Sequence, residues 1–288
     1  DWSSDVCSSD LGSRLAQSLA DELGGKVRIH ERFATATVRL EDGTKIDVAT
    51  ARTEFYEFPA ALPMVERSSI KEDMYRRDFT INTLALCLNP TKFGDLIDYF
   101  GGRKDIQNGL IRILYNLSFV EDPTRILRAI RFEQRYKFSI EPDTLRFARD
   151  AIERRMLGKL SYKRILDELI LILGEKDPMS ALERMTETGV WKYILPEVRL
   201  EELAFVPVKR IPIVIAWWEE RYYGRKIKTW LVYVLALCSR LDFQRMSEVL
   251  ERYPFDNYAQ RCIKDSRQVP VLAEEITANP ELRPSQLD

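Results

Sequence analysis

The chain has 288 residues, 31% of them charged, and a formal net charge of −1. That balance excludes the global positive field of many nucleic-acid binders, and no apolar run is long enough to span a bilayer. One histidine and four cysteines without metal-ligand spacing exclude a His-ligated metal cluster and read as the reduced thiols of a cytoplasmic protein.

The opening residues 1–11, DWSSDVCSSDL, lack a hydrophobic period, and CSSDL resembles the translation of a sequencing-adapter end. They are expected to be a cloning or assembly artefact outside the fold, so Asp5 and Asp10 carry no expectation of chemistry. From Gly12 onward Leu15, Leu19 and Leu23 recur at helical spacing, and Gly24-Gly25 ends that helix. Residues 27–30, 35–40 and 45–49 alternate as strands, with Asp42-Gly43 as a hairpin turn. His30 reads as a structural residue at a strand end. Asp47 lies in the last of these strands and Arg52 follows it; by residue type alone Asp47 is an ordinary strand-end acid. Residues 54–66, with Pro59 and Pro63, read as a loop.

Ser68 or Ser69 is expected to cap a helix that leads into the run YRRDFTIN, residues 75–82. Arg76, Arg77 and Asp78 form either a plain surface ion-pair cluster or a site for phosphate and sugar. Asn82 falls one turn after Asp78. A short strand over 93–99, turns at Gly101-Gly102 and Asn108-Gly109, and a strand over 110–114 complete this half.

EDPTRILRAIRF, residues 121–132, then opens a helix with Asp122 as N-cap and Pro123 at its first position. Ile126, Leu127 and Ile130 form its buried stripe, and Asp122 and Arg125 are neighbours three apart along one edge. Adenine and cytosine both offer an amino donor next to an unprotonated ring nitrogen. Asp122 could accept from the amino group while Arg125 donates to the nitrogen. Guanine and uracil would meet the same pair donor to donor. A capped helix with an ion pair is the plainer reading of the same residues. Arg128, Arg131 and Arg135 line the polar side of this helix and suit phosphate.

Beyond Glu141 nearly everything has helical period, punctuated by Gly174, Pro196, Pro207, Gly224 and Pro254. Two basic stretches, Arg146 to Arg164 and Lys209 to Lys228, are either solvated helix faces or RNA contacts. Trp217, Trp218 and Trp230 read as core.

RRDFTIN and EDPTR, in this order and spacing, resemble the class II tRNA nucleotidyltransferase and bacterial poly(A) polymerase family. The resemblance implies a polymerase-β-like α/β nucleotidyltransferase head over 12–114, a helical neck carrying the base-reading motif over 115–175, and an all-α, RNA-binding body over 176–288. It implies template-independent addition of A, or of C and A, to the 3′ end of tRNA, with ATP and possibly CTP as substrates and Mg²⁺ as cofactor. By that resemblance Asp47 is a metal-holding catalytic carboxylate. Arg52, Arg76 and Arg77 contact phosphates and ribose, Asp78 accepts from the ribose 2′-hydroxyl, and Asn82 orients that group. Asp122 and Arg125 read the base, and Arg128 and Arg131 contact phosphate. The Gly that the family usually has is Ala34 in this chain. Two further carboxylates of the family belong where residues 1–11 stand, so the chain as written is expected to be catalytically silent. A non-catalytic RNA- or nucleotide-binding fragment and a poly(A) polymerase acting on other RNA are the rival readings. FVEDPTRILRAIRFEQR leans toward the A-adding type.

Overall fold

The computed structural model describes residues 5–8, 12–31, 34–198, 206–221, 227–239 and 241–266. The chain divides into two compact units, one of residues 1–125 and 138–151 and the other of 126–137 and 152–288.

The first unit is the α/β head. It begins with β1 (Asp5–Ser8), α1 (Gly12–Leu23), β2 (Gly25–His30), β3 (Thr35–Leu40) and β4 (Lys45–Thr50), in a sheet of order β1-β4-β3-β2. β2, β3 and β4 form an antiparallel meander, and β1 lies parallel to β4 with Asp5 opposite Asp47. Residues 1–11 therefore do not all stand outside the fold, as their composition suggested. The ladder is made by main-chain groups, so four residues without a hydrophobic alternation can still close the open edge of β4. Asp10 lies outside the described residues.

Strand alternation sorts the sheet into two faces. Ala36, Val38 and Val48 point to the α1 side and are at most 1% exposed, covered by Ala16 and Ala20. The leucines expected to lead this contact flank it instead: Leu15 and Leu19 are partly buried and Leu23 is exposed. Small residues win because α1 runs close to the sheet. A Cβ on Gly12 would come within 3.0 Å of the β4 backbone, and the Gly12 N–H donates to Thr50 Oγ1. Fully burying each of the two valines stabilises the head by about 1.5–3 kcal/mol. Ala34, just before β3, has φ 49°, the left-handed conformation in which glycine is at ease.

β5 (Arg52–Phe55) and β6 (Met64–Arg67) pair as an antiparallel hairpin, so the ends of the expected loop are strands. α2 (Ile70–Tyr75) follows, capped by the Ser69 hydroxyl, which accepts from Glu72 N–H. β7 (Ala85–Leu86) pairs with β8 (Leu96–Ile97). α3 (Gly102–Asn108) stands where two turns were expected, because Asp98 receives the N–H groups of Gly102 and Arg103 at its start. β9 (Leu110–Ile111), α4 (Ser118–Glu121) and α5 (Thr124–Tyr136) lead to β10 (Ser139–Ile140) and α6 (Pro142–Glu153). β10 pairs parallel with β9, Thr144 Oγ1 accepts from Ile113 N–H, and Arg112 pairs with Glu141 at 3.2 Å. Those contacts tie 138–151 to the head, so the compact unit does not end at the expected 114/115 boundary.

The second unit contains the rest of α5 with α7 (Tyr162–Leu173), α8 (Pro178–Glu187), α9 (Val206–Arg221), α10 (Thr229–Cys238), α11 (Phe243–Arg252) and α12 (Asn257–Asp265). Its core includes Leu166, Leu169, Ile172, Leu182, Met185 and Leu237, each at most 3% exposed. Trp191, also buried, donates its indole N–H to the Val198 carbonyl at 2.7 Å. Of the tryptophans expected in the core, Trp230 stacks parallel on Phe255, but Trp217 is 46% exposed beneath Arg221. No described helix is long and apolar enough to cross a membrane.

Candidate nucleotide site

Asp47 sits on the open face of the sheet, away from α1. Its Oδ1 accepts from the Thr37 hydroxyl at 2.6 Å and its Oδ2 from Lys45 Nζ at 2.6 Å. Partial burial pushes its pKa up, but those two hydrogen bonds and the nearby charge of Lys45 outweigh it, holding the carboxyl below its ordinary value. Among the described residues no three His, Cys, Asp or Glu side chains come together as a metal site.

Next along the chain is an ion-pair cluster whose centre the sequence reading passed over. Asp73, in the first turn of α2, is 1% exposed. Its Oδ1 accepts from the Arg52 backbone N–H and from Arg76 Nε and Nη2, and Arg77 Nη2 lies 3.3 Å from its Oδ2. Glu54 on β5 takes Arg76 Nη1 at 2.7 Å and the Tyr56 hydroxyl at 3.1 Å. Three arginines are thus held by two carboxylates, leaving a positive excess on a rigid frame. The signal for Asp73 was present in its spacing, three and four residues before Arg76 and Arg77.

Asp78 and Asn82 meet as their spacing implied. Asn82 Nδ2 donates to Asp78 Oδ1 at 2.8 Å, and the same oxygen takes the Phe79 N–H. The intervening residues form a 3₁₀ turn, and Arg77 Nη1 donates to the Asn82 carbonyl.

Asp122 and Arg125 enclose the start of α5. Asp122 Oδ1 accepts from Thr124 N–H and from its hydroxyl, so the cap is real, though the regular helix starts one residue later than expected, at Thr124. Arg125 is 4% exposed. Its Nη1 donates to the hydroxyls of Tyr115 and Ser118, and its Nη2 to the Arg76 carbonyl at 2.7 Å. The Tyr115 hydroxyl in turn donates to Glu121. Burial, with help from Glu121, pushes the Tyr115 pKa up to about 12, so the ring stays neutral. Tyr115 and Ser118 were not foreseen, since nothing in their spacing marks a partner seven or ten residues away.

Arg128 and Arg131 belong to the second unit. Arg128 pairs with Glu168 at 3.4 Å, and Arg131 with Glu168 and Glu175 at 3.7 and 3.5 Å. Arg131 is 6% exposed and lies over Phe132. Their partners are carboxylates of the second unit, which suits holding α5 in place more than contacting phosphate.

Two family models match the chain: the poly A polymerase head domain over residues 1–112, and a probable RNA and SrmB-binding site of polymerase A over 137–201. An A-adding tRNA nucleotidyltransferase of Geobacter sulfurreducens is 48% identical over 237 residues, which is 82% of this chain and 27% of that protein. A CCA-adding enzyme in its apo form superposes with a TM-score of 0.82 at 38% identity, covering 96% of this chain and 65% of that one. The chain belongs to the tRNA nucleotidyltransferase and poly(A) polymerase family. A Thermotoga maritima CCA-adding enzyme complexed with tRNA also matches, with a TM-score of 0.74 at 36% identity over 95% of this chain and 63% of that one. The chain spans between 27% and 43% of the length of the A-adding relatives it matches. The polymerase-β-like fold class expected from RRDFTIN and EDPTR is the one observed.

Proposed function

We propose that this chain carries out template-independent addition of A, or of C and A, to the 3′ end of tRNA. The observation that carries the reading is the hydrogen bond from Arg125 to the Arg76 carbonyl, which joins the two motifs through one buried side chain. Arg52, Arg76 and Arg77, tethered by Asp73 and Glu54, offer positive charge to the triphosphate. Asp78, steadied by Asn82, accepts from the ribose 2′-hydroxyl. Asp122 and Arg125 face the base edge and favour A and C. The primer 3′-oxygen bonds to the α-phosphorus, the α–β bridging bond breaks, and pyrophosphate leaves with that electron pair.

Mg²⁺ belongs to this proposal because in-line phosphoryl transfer neutralises developing charge. Asp47, on the open sheet face, would hold the ion from that strand, and its oxygens are engaged by Thr37 and Lys45. The described residues therefore give the metal no assigned step. The rival reading is a module that binds nucleotide and RNA without chemistry.

The deciding experiment incubates the chain with a tRNA transcript ending in CC, ATP or GTP, and Mg²⁺, beside Arg125→Ala. Extension selective for ATP and lost in the variant supports the proposal. Selective ATP binding without extension supports the binding module. Neither extension nor selective binding overturns both. Equal extension of an oligo(A) primer would move the reading to a poly(A) polymerase.

A further inference from the structure

The open face of the head sheet carries a row of cations that the nucleotide pocket does not use. Strand register places Lys26 of β2 opposite Arg39 of β3, and Arg39 opposite Lys45 of β4. The next row on this face runs Arg28, Thr37, Asp47. Lys26, Arg28, His30, Thr37, Arg39 and Lys45 line a shallow hollow of about 360 Å³, and Asp47 lies outside its lining.

Like charges directly opposite each other across a sheet are destabilising. Three in one transverse row, exposed at Lys26, Arg39 and Lys45, persist at a cost that an anion would offset. Beside the Lys45–Asp47 pair the face carries Lys26, Arg28 and Arg39, on a chain whose overall charge is −1. The row crosses three strands, about 10 Å at the usual strand spacing. That span is wider than a single phosphate group and suits consecutive phosphates along a strand.

Resting on the function proposed above, we infer that this face binds the phosphodiester backbone of the RNA substrate next to its reacting end. The reaction has two phosphate-bearing partners, and the described part of the head offers a separate cationic group for each. The first, Arg52 with Arg76 and Arg77, is tethered around Asp73 and Glu54 and is given to the triphosphate. The second flanks Asp47 on the sheet and lies outside the region, 137–201, that matches the RNA-binding family model. It adds an RNA contact to the head itself. The basic stretches legible in the sequence lie in the helical half; Lys26, Arg39 and Lys45 sit on three different strands, and only the register makes them a row.

The test measures binding of a labelled tRNA transcript ending in CC to the full chain and to the double variant Lys26→Gln/Arg39→Gln, from 50 to 300 mM salt, with ATP binding measured in parallel. The expected result is weaker tRNA binding by the variant, with the slope of log K against log salt shallower by about 1.4–1.8, near 0.7–0.9 for each of two lost phosphate contacts. ATP affinity should stay the same, and the thermal midpoint at low salt should not fall. Unchanged tRNA affinity and slope in a variant whose parent binds tRNA overturns the inference and leaves the proposed function standing. Loss of ATP binding with tRNA binding intact also overturns it, by giving the row to the triphosphate. Failure of the parent chain to bind tRNA at all overturns both.

Discussion

Asp78 Oδ1 accepts from Asn82 and from the Phe79 N–H at once, at 2.8 and 2.9 Å, so one carboxylate oxygen is committed to shaping the turn. Replacement by Ala would therefore confuse two effects. Asp78→Asn keeps an acceptor oxygen for the turn and removes the charge. It should bind ATP with a smaller preference over dATP than the parent, with thermal stability within about 1 kcal/mol. An unaltered ATP to dATP ratio, measured by equilibrium binding, would confine Asp78 to the turn.

The same logic applies to Asp122, whose Oδ1 caps α5 through Thr124. Asp122→Asn preserves the cap acceptor but presents an amide donor to a base. Discrimination of ATP and CTP against GTP and UTP should fall by about 1–3 kcal/mol, the scale of one good base contact. Asp122→Ala should add a cap loss of about 1 kcal/mol in stability. If the Asn variant keeps full selectivity, Asp122 is a cap and nothing more.

Arg125 depends on neighbours from outside its own helix. Tyr115→Phe removes one hydroxyl between Arg125 and Glu121 and should cost about 1–2 kcal/mol of stability in urea unfolding. It should also weaken ATP and CTP binding while leaving GTP binding as low as before. Unfolding that matches the parent would show the hydroxyl to be replaceable by water.

Glu141 gives a pH prediction. Burial pushes its pKa up, but the N–H and hydroxyl of Thr144 and the charge of Arg112 more than compensate, so the folded value lies below the ordinary 4.5. A carboxylate depressed on folding adds stability above its unfolded pKa and loses it as pH falls through the folded one. The parent should thus lose urea stability below about pH 5 more steeply than Glu141→Gln, which starts lower and stays flatter. Parallel curves would remove Glu141 from the acid response.

Ala34 holds φ 49°, the left-handed backbone in which glycine is at ease. Left-handed backbone costs a non-glycine residue about 1–2 kcal/mol, partly offset by the extra entropy glycine has when unfolded. Ala34→Gly should raise stability by up to about 1 kcal/mol, read as a higher thermal midpoint. A lower midpoint would mean that the turn tolerates alanine without strain.

The strands of the meander and most of the helices beyond Glu141 were legible because their apolar periods are regular and their turns carry Asp-Gly or a capping Ser. Asp78 with Asn82, and Asp122 as a cap, were legible because partners four and two residues apart meet by local geometry alone. Residues joined by tertiary contact were not. Tyr115 reaches Arg125 from ten residues upstream, and Asp73 on α2 draws in the Arg52 backbone from β5. The β1 strand was missed for a different reason, since its side chains give no pattern and its place is fixed by main-chain pairing with β4. Arg128 and Arg131 were read as phosphate-facing from helical period, which shows a polar side but not the carboxylates waiting on α7.

β2 is also the outermost strand of its sheet, with one main-chain edge unpaired by another strand of it. A second copy adding to that edge would set Lys26 and Arg28 against their own counterparts on the incoming strand. The repulsion guards the chain against growing into edge-to-edge fibres. Resistance to edge pairing and the proposed RNA contact would then both draw on Lys26.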